Sequence, residues 1–439
     1  MSTYTLTSRE IPHDNTYDVI VCGGGPAGCA SAIAAARHGA KTLLIEANYS
    51  LGGMSTLGMV PTWCPYTDKE KVIYKGIAEE ILEAEKLETP CVPKEKLDWV
   101  QIDPEPLKRI YDDLLEKAGA DVLFGTFISD VDVNDGVINA VIVSNKNGLS
   151  AYSAKVYIDC TGDADVAYRA GAECVYGDGE GNAQAATHCF ELGGVNEKVY
   201  VSGVNMHNAN PESPIHKIVN DGKYPELDDV HFCQSLIRPN TVGFNAGHIW
   251  NVNSTDAKSI SDSMRIGRRK AYAYCKALKD YYPEAFSNAF VNETAPLMGI
   301  RESRRVIGDY ILTKDDYIDR KTFPDEIGRN CYYLDIHMSK EEQEKTGHKS
   351  LRYSKGESHG IPYRCLTPKE LKNLLVAGRS ISTDRAVQGS TRVMPVCFVT
   401  GQAAGTAAFI AAKQKHVNVH EVDVHLLRKT LADDGAYFN

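Results

Sequence analysis

Blocks of apolar and small residues at the start of the chain predict a strand, a helix and a second strand. Residues 17–22 form a short apolar, β-branched run, which is typical of a buried parallel strand. Residues 27–38 are rich in alanine and end at Gly39, so they predict a helix of about three turns. Residues 41–45 are apolar again and predict the second strand. This β–α–β unit indicates an α/β fold built on a parallel sheet.

The same patterns predict the elements of the remaining chain. The predicted helices are 69–87, 104–119 and 255–281, and the predicted strands include 121–127 and 374–377. Residues 131–143 and 150–158 are expected to form a hairpin-like crossover with turns at 134–136 and 145–148. Asp103 as N-cap and Pro104 in the first turn mark the start of the second helix. A helix of small residues is expected to start near Thr400 or Gly401, after a proline-containing loop. In residues 176–354 we expect an antiparallel sheet with helices.

Gly23, Gly25 and Gly28 follow the first strand with the spacing G-x-G-x-x-G. The first glycine makes the tight turn, the second lets the backbone approach a pyrophosphate, and the third lets the helix pack closely on the strand. The free N–H groups at the helix N-terminus attract phosphates. Glu46 ends the second strand, where a carboxylate binds ribose hydroxyls and would repel the 2′-phosphate of NADP. Together these features predict a dinucleotide site.

Later segments favour FAD over NAD as the dinucleotide. Leu51-Gly52-Gly53 matches the glycine pair that FAD proteins place beside the pyrophosphate and the ribityl chain. The strand 374–377 ends in Gly378-Arg379. The helix that follows is expected to point its N–H groups at the flavin N1/C2=O edge, where negative charge collects on reduction.

Two further motifs specify the resemblance, IDCTGDADVAYRAGA at 158–172 and GIRESRRVIGDYILT at 299–313. With them, the chain resembles FAD-dependent oxidoreductases related to the flavoprotein subunits of fumarate reductase and succinate dehydrogenase. The resemblance implies a Rossmann-like FAD-binding domain of the glutathione-reductase type. That domain is expected to be discontinuous, over 14–175 and 355–425, with an inserted α+β substrate or cap domain at 176–354.

The resemblance also implies which residues hold FAD. The implied cofactor-binding residues are Gly23, Gly25, Pro26, Ala27, Gly28, Glu46, Ala47, Gly52, Gly53, Met54, Ser55, Phe127, Thr161, Gly162, Asp163, Gly378, Arg379, Pro395, Gly401, Gln402 and Ala403. Most flavoproteins of this class carry Gly-Asp where this chain has Gly378-Arg379, so we expect a backbone contact to the ribityl chain, with Arg379 serving the flavin or the substrate. No histidine occurs in 52–64, the region that carries the flavin in some covalent relatives, so non-covalent FAD is expected.

Candidate catalytic groups lie on segments that are expected to return to the flavin. They are Arg301, Arg305, His359, Arg379 and Arg392. The arginines of GIRESRR can bind a carboxylate, another oxyanion or a reduced flavin, and the alternative is an ion-pair cluster with Glu302 and Asp309. His359 is the candidate general acid or base, with packing or substrate contact as the alternative.

Composition and charge exclude several other classes of function. With 58 acidic against 48 basic residues, the formal charge is −10, which argues against nucleic acid or an anionic membrane as partner. No apolar stretch reaches about 18 residues, and residues 1–18 have no signal-peptide pattern. The 12 cysteines include no C-x-x-C pair, which indicates free thiols in a reducing cytoplasm. His416 and His420 lack a third ligand, so no metal site is expected.

The leading hypothesis is a cytoplasmic FAD-dependent oxidoreductase that transfers a hydride to or from a small polar, anionic or carbohydrate-like molecule. One alternative is a flavin-dependent isomerase or hydratase without net redox turnover. Another is a FAD-binding sensor or partner subunit. The substrate, the electron donor or acceptor, and a homo-oligomeric state are left open by the sequence.

Overall fold

The computed structural model describes residues 3–5, 7–338, 342 and 350–438. Within them the strands are β1 His13–Cys22, β2 Thr42–Ile45, β3 Asp121–Leu123, β4 Phe127–Asn134, β5 Val137–Asn145, β6 Gly148–Asp159, β7 Cys174–Tyr176, β8 Phe190–Gly193, β9 Phe232–Arg238, β10 Thr241–Ala246, β11 Phe290–Thr294, β12 Arg304–Val306, β13 Glu326–Asn330, β14 His359–Pro362 and β15 Leu374–Val376. The helices are α1 Pro26–Arg37, α2 Ile77–Glu88, α3 Pro104–Ala118, α4 Asp165–Arg169, α5 Glu197–Ser202, α6 Pro214–Asp221, α7 Ala257–Tyr281, α8 Pro283–Phe286, α9 Lys314–Ile318, α10 Arg385–Thr391, α11 Met394–Ala412 and α12 Val424–Asp433. Short 3₁₀ turns occur at Gly53–Ser55, Tyr363–Cys365 and Val419–Glu421.

The main sheet has seven strands in the order β3-β2-β1-β6-β5-β4, with β15 also paired to β6. Strands β1, β2, β3, β6 and β15 are parallel, whereas β4, β5 and β6 form an antiparallel meander. Side chains alternate across β1: Val19 and Val21 pack with α1 and α11, whereas Ile20 and Cys22 pack with β4 and β5. The predicted α/β, Rossmann-like core is confirmed. Its parallel strands end at one edge, where ligands of such sheets bind.

Helix α11 lies against α1 at very short range. A Cβ on Gly401 would stand 2.2 Å from the Ala27 carbonyl oxygen, and one on Gly405 would stand 2.1 Å from that of Ser31. The Ser31 hydroxyl donates to the carbonyls of Ala27 and Gly401, at 2.8 and 2.9 Å. The apolar composition of α11 would suit a membrane span, but 94% of its most apolar window is buried inside the protein. It therefore packs as a core helix.

Residues of the inserted segment form a second, four-stranded antiparallel sheet in the order β11-β8-β10-β9. Helix α7 packs on this sheet through Tyr274 and Leu278, and the rings of Phe190 and Phe244 stack at 4.9 Å beneath it. The predicted helix 255–281 is thus observed as Ala257–Tyr281, capped by Asp256. The predicted domain boundaries stay a prediction.

The hairpin predicted from residue 131 begins four residues earlier, at Phe127, and three other predicted elements differ from the structure at their ends. The helix predicted at 69–87 begins only at Ile77, because Gly76 has φ of +68° and residues 67–72 form a bridged turn. The strand predicted at 121–127 ends at Leu123, since the chain turns at Gly125 with φ of +58° before β4. Helix α11 begins at Met394 rather than near Thr400, because Pro395 occupies its first turn instead of a loop.

Candidate active site

A cavity of about 1540 Å³ opens at the carboxyl edge of the parallel sheet and extends to the inserted antiparallel sheet. Its walls come from the glycine turn after β1, the ends of β2, β6 and β15, and the segments around Arg301, Tyr332 and Arg392. Sites for small molecules usually enclose about 300–1,000 Å³. The cavity is therefore large enough for a dinucleotide together with a small substrate.

The glycine turn has the shape that a pyrophosphate site requires. Gly23 has φ of +98°, and a Cβ there would stand 2.5 Å from the Cys160 carbonyl oxygen. A Cβ on Gly28 would stand 1.7 Å from the Gly23 carbonyl oxygen, so only glycine allows α1 to start this close to the strand. Around Gly25, in contrast, no heavy atom from beyond the adjoining chain lies within 4 Å of the Cβ position. The open space beside the N-terminus of α1 fits a phosphate group.

Glu46 occupies the end of β2 at the cavity wall, as predicted, and its side chain is buried. It accepts hydrogen bonds from the Gly24 N–H at 2.6 Å, from the Asn48 N–H at 2.8 Å and from the Asn48 side-chain amide at 2.6 Å. A carboxylate can accept about four hydrogen bonds, so capacity remains for a ribose hydroxyl. The carboxylate is oriented by the backbone before any ligand binds.

Most of the predicted cofactor-binding residues line this cavity. They are Gly23, Gly25, Pro26, Ala27, Glu46, Ala47, Gly53, Met54, Phe127, Thr161, Gly162, Asp163, Gly378 and Arg379. The structure does not bring Gly28, Gly52, Ser55, Pro395, Gly401, Gln402 or Ala403 to its surface. The last three lie inside α11, where Gln402 accepts a hydrogen bond from the Ile77 N–H at 2.9 Å. The residues of α11 that do face the cavity are Met394 and Cys397.

Arg379, the departure from the usual Gly-Asp pair, forms an ion pair with Asp163 at 2.7 Å. The Ser303 hydroxyl donates to the same carboxylate at 2.6 Å. Burial alone would raise the pKa of Asp163, but the guanidinium and the hydroxyl hold it below its usual range. Arg379 is therefore a fixed part of the cavity wall beside Thr161 and Gly162.

The two arginines predicted in GIRESRR have different environments. Arg301 lines the cavity, whereas Arg305 does not. Arg305 is buried and donates to Glu302 at 2.9 Å and to the Gly177 carbonyl at 2.8 Å, so it forms the ion pair with Glu302 that the alternative predicted, whereas Asp309 pairs with His420 instead. Its predicted catalytic role has no geometric support.

Arg301 is buried, with 7% of its surface exposed, and its hydrogen bonds go only to neutral acceptors. It donates to the Ala185 carbonyl at 2.7 Å, the Thr187 hydroxyl at 2.9 Å and the Asn245 side-chain oxygen at 3.3 Å. Within the described part of the chain, no carboxylate pairs with it. Burial and the neighbouring Arg392 guanidinium lower the pKa of Arg301 to about 10, so it stays charged at neutral pH. A buried cation without a counter-ion favours an anionic ligand.

Arg392 also lines the cavity, and it pairs with Asp335 at 3.1 Å. Its buried Nε–H has no hydrogen-bond partner. Burial would raise the pKa of Asp335, yet His337 and Arg392 hold it well below its usual range. The Arg392 side chain is thus oriented by a carboxylate and retains one donor.

The structure does not bring His359 to the cavity. It is fully buried on β14, with Nδ1 3.0 Å from the Tyr353 hydroxyl. Burial and the Arg329 guanidinium lower its pKa to about 3, so it would be neutral at working pH. The contact with Tyr353 supports the packing alternative for this histidine.

Sequence reasoning missed a group of three histidines, His231, His248 and His337, of which His231 and His337 line the cavity. Asp229 and Asp335 flank this group. The three come from the start of β9, the end of β10 and the segment after β13. No spacing rule links such distant positions, so only the pairing of β9 with β10 and the return of the chain at 331–338 bring them together.

The chain has detectable relatives among known proteins. It is 31% identical over 163 residues to glutathione reductase of Schizosaccharomyces pombe, a match that covers 34% of this chain and 32% of the reductase. It is 33% identical over 161 residues to thiamine thiazole synthase of Methanococcus aeolicus, covering 34% of this chain and 57% of that enzyme. The chain thus spans about a third of the first relative and just over half of the second.

Among solved structures, a geranylgeranyl bacteriochlorophyll reductase-like protein from Thermoplasma acidophilum aligns with a TM-score of 0.47 and 13% identity. That alignment covers 97% of this chain and 84% of the other. The glycine turn, the ribose carboxylate and the open space at the α1 N-terminus all fit the ADP half of FAD. Residues 18–431 match the FAD dependent oxidoreductase family, and this chain belongs to that family as an oxidoreductase with FAD as its cofactor.

Proposed function

We propose that this enzyme transfers a hydride to or from a small organic anion held at Arg301. The observation that carries the proposal is a buried guanidinium at the cavity wall that has three neutral partners and no counter-ion among the described residues. Bound FAD supplies the hydride donor or acceptor.

The residues around Arg301 support a site for an oxyanion. Asn245, Thr187 and Arg392 line the same part of the cavity, so neutral donors and a second guanidinium surround the position that the anion would occupy. A planar guanidinium binds a carboxylate through two parallel hydrogen bonds and thereby fixes its orientation. The charge-neutral partners of Arg301 hold it in place without cancelling its charge.

Arg301 has a second use if charge develops during the reaction. Hydride transfer leaves negative charge on the reduced flavin or on an enolate-like substrate. A guanidinium that is oriented in advance, where water is excluded, stabilises that charge without reorganisation. The proposal therefore predicts an effect of Arg301 on the rate of reduction as well as on binding.

The narrower assignments are also proposals. The relatives that match include glutathione reductases, thiamine thiazole synthases and tRNA uridine 5-carboxymethylaminomethyl modification enzymes, and the kinship with fumarate reductase and succinate dehydrogenase flavoproteins stays a prediction. All 12 cysteines are free thiols, which supports a reducing, cytoplasmic location.

The test is stopped-flow absorbance of the FAD-loaded enzyme mixed with a library of small carboxylates, other oxyanions and neutral polyols. We expect bleaching of the flavin by one or more anions, or reoxidation of the reduced enzyme by them. Turnover without a lasting change of the flavin would indicate an isomerase or hydratase. Bleaching by neutral polyols alone, or no response to any compound, would overturn the proposal.

A further inference from the structure

Three histidine rings meet at the wall of the cavity contributed by the inserted sheet. One ring nitrogen of each of His231, His248 and His337 lies within 4.8 Å of those of the other two. The ring centroids are 4.3 Å apart for His231 and His248, and 5.1 Å apart for each of the other two pairs. Around a single zinc ion with Zn–N bonds of about 2.1 Å and tetrahedral angles, the centroids would lie about 5 Å apart. The spacing of the rings fits one ion.

Two of the rings are oriented by carboxylates on their outer side. His248 Nδ1 lies 3.1 Å from Asp229, and His337 Nε2 lies 3.4 Å from Asp335. Their other nitrogens, His248 Nε2 and His337 Nδ1, face each other at 2.9 Å. Metal-binding histidines almost always donate their second ring N–H to a carboxylate, a carbonyl or water, which fixes the tautomer and the ring orientation. The pattern of outer carboxylates and inner nitrogens is that of a metal site.

The third ring has an unsatisfied polar atom. His231 stacks on His248, and its buried Nδ1 has no hydrogen-bond partner. A buried ring nitrogen without a partner costs free energy unless a ligand or water supplies the missing contact.

We propose that His231, His248 and His337 form a three-histidine site for a divalent first-row transition metal ion such as Zn²⁺, with a fourth position open to the cavity. Imidazole nitrogens suit zinc, iron, copper and nickel, whereas magnesium and calcium require oxygen ligands. His231 and His337 line the cavity itself, so an ion between them would be accessible to a substrate oxygen. The proposal does not depend on the identity of the substrate.

The geometry requires only a small adjustment on binding. Two nitrogens on one zinc ion lie about 3.4 Å apart, so His248 Nε2 and His337 Nδ1 would separate by about 0.5 Å from their present 2.9 Å. In the absence of an ion the two nitrogens share a proton, which the metal would displace.

The charged groups near the site carry both signs. Asp229 contacts His248, and Asp335 contacts His337 and pairs with Arg392, whereas Arg301 has no paired carboxylate among the described residues. The guanidinium of Arg301 disfavours a bare cation, and this favours an anionic oxygen as the fourth ligand.

The test uses untagged, FAD-loaded protein, freed of metal with a chelator and titrated with Zn²⁺ by calorimetry. We expect one equivalent to bind, and Co²⁺ to give tetrahedral d–d bands at wavelengths longer than oxidised flavin absorbs. His248→Ala and His337→Ala should each weaken binding by more than about 100-fold. Asp229 would act on the ion only through His248, so Asp229→Asn should weaken Zn²⁺ binding by about 10- to 100-fold.

His216→Ala is the matched control, since this histidine hydrogen-bonds backbone carbonyls of Asn208 and Asn210 away from the cluster. It should leave the affinity for Zn²⁺ unchanged. Absence of heat and of d–d bands with the wild-type protein would overturn the proposal, and this result does not depend on whether the variants fold. Equal binding by the His248→Ala/His337→Ala double variant would overturn it too, by placing the ion elsewhere.

Discussion

Replacing Arg301 with methionine tests the centre of the proposed mechanism. The change keeps much of the side-chain length and removes the one cavity-wall guanidinium that has no carboxylate partner among the described residues. Loss of a single oriented donor to a developing oxyanion typically costs about 2.7–4 kcal/mol in the transition state. We therefore expect flavin reduction by the substrate to slow by about 100- to 1,000-fold.

The structural cost of Arg301→Met is separable from this effect. The variant leaves the Ala185 carbonyl and the Thr187 hydroxyl without their donor, which costs about 1–3 kcal/mol of folding stability. Thermal unfolding and the flavin-to-protein ratio measure that loss directly. Rates are then compared per flavin-loaded molecule, by stopped-flow absorbance at saturating substrate.

Two further variants control for charge and position. Arg304 belongs to the same segment, but its guanidinium pairs with Asp165 at 3.0 Å and does not line the cavity. Flavin reduction in the Arg304→Met variant should therefore stay within a few-fold of the wild-type rate. Arg301→Lys keeps the charge and should recover part of the rate. A rate for Arg301→Met within tenfold of wild type, about 1.4 kcal/mol, would show that Arg301 is structural and would refute the reasoning.

Three other predictions concern residues of the expected FAD site, Glu46, Gly28 and Asp163. Glu46→Ala removes charge-assisted bonds to the ribose, each about 1.5–3 kcal/mol, and should lower flavin occupancy on dilution; full occupancy would locate the ribose contact elsewhere. Gly28→Ala places a Cβ 1.7 Å from the Gly23 carbonyl oxygen and should abolish flavin binding, measured by absorbance of the purified protein, while normal occupancy would contradict the described turn. Asp163→Asn leaves Arg379 unpaired and should lower the melting temperature at neutral pH. The pKa of Asp163 is lower in the folded than in the unfolded protein, so the ionised carboxylate contributes its full stabilisation above the unfolded-state pKa and loses it as the pH falls through the folded-state pKa. A difference in melting temperature between wild type and Asp163→Asn that grows in acid would contradict this assignment.

The cofactor half of the molecule could be predicted because its signals are local. The glycine spacing, the alanine-rich helix and the carboxylate after the second strand all lie within one β–α–β unit. Helix 104–118 could be predicted equally well, since Asp103 caps its start and Gly119 ends it in the left-handed conformation. Each of these sequence signals lies within one short segment of the chain, so it can be read without knowing the tertiary contacts.

The substrate half depends on contacts that no local pattern encodes. Arg301 and Arg305 belong to one motif, but Arg305 lies on β12, where its side chain reaches Glu302 and the Gly177 carbonyl. Arg301 precedes the strand and reaches the cavity instead. The start of α11 was misplaced for a related reason: a proline predicts a loop or a first helical turn equally well, and only packing against α1 decides between them.

The charge of the whole chain says little about what its cavity binds. A formal charge of −10 would disfavour anions if it were spread evenly, yet salt largely screens exposed charges that lie more than about 10 Å away, and buried charges near the ligand are screened much less. Of the three arginines at the inner end of the cavity, Arg379 pairs with Asp163 and Arg392 with Asp335. One uncompensated positive charge, on Arg301, therefore remains there. A metal ion at the histidine cluster would add to that charge, so both proposals point to the same kind of ligand, an anionic oxygen placed between the guanidinium and the three imidazoles.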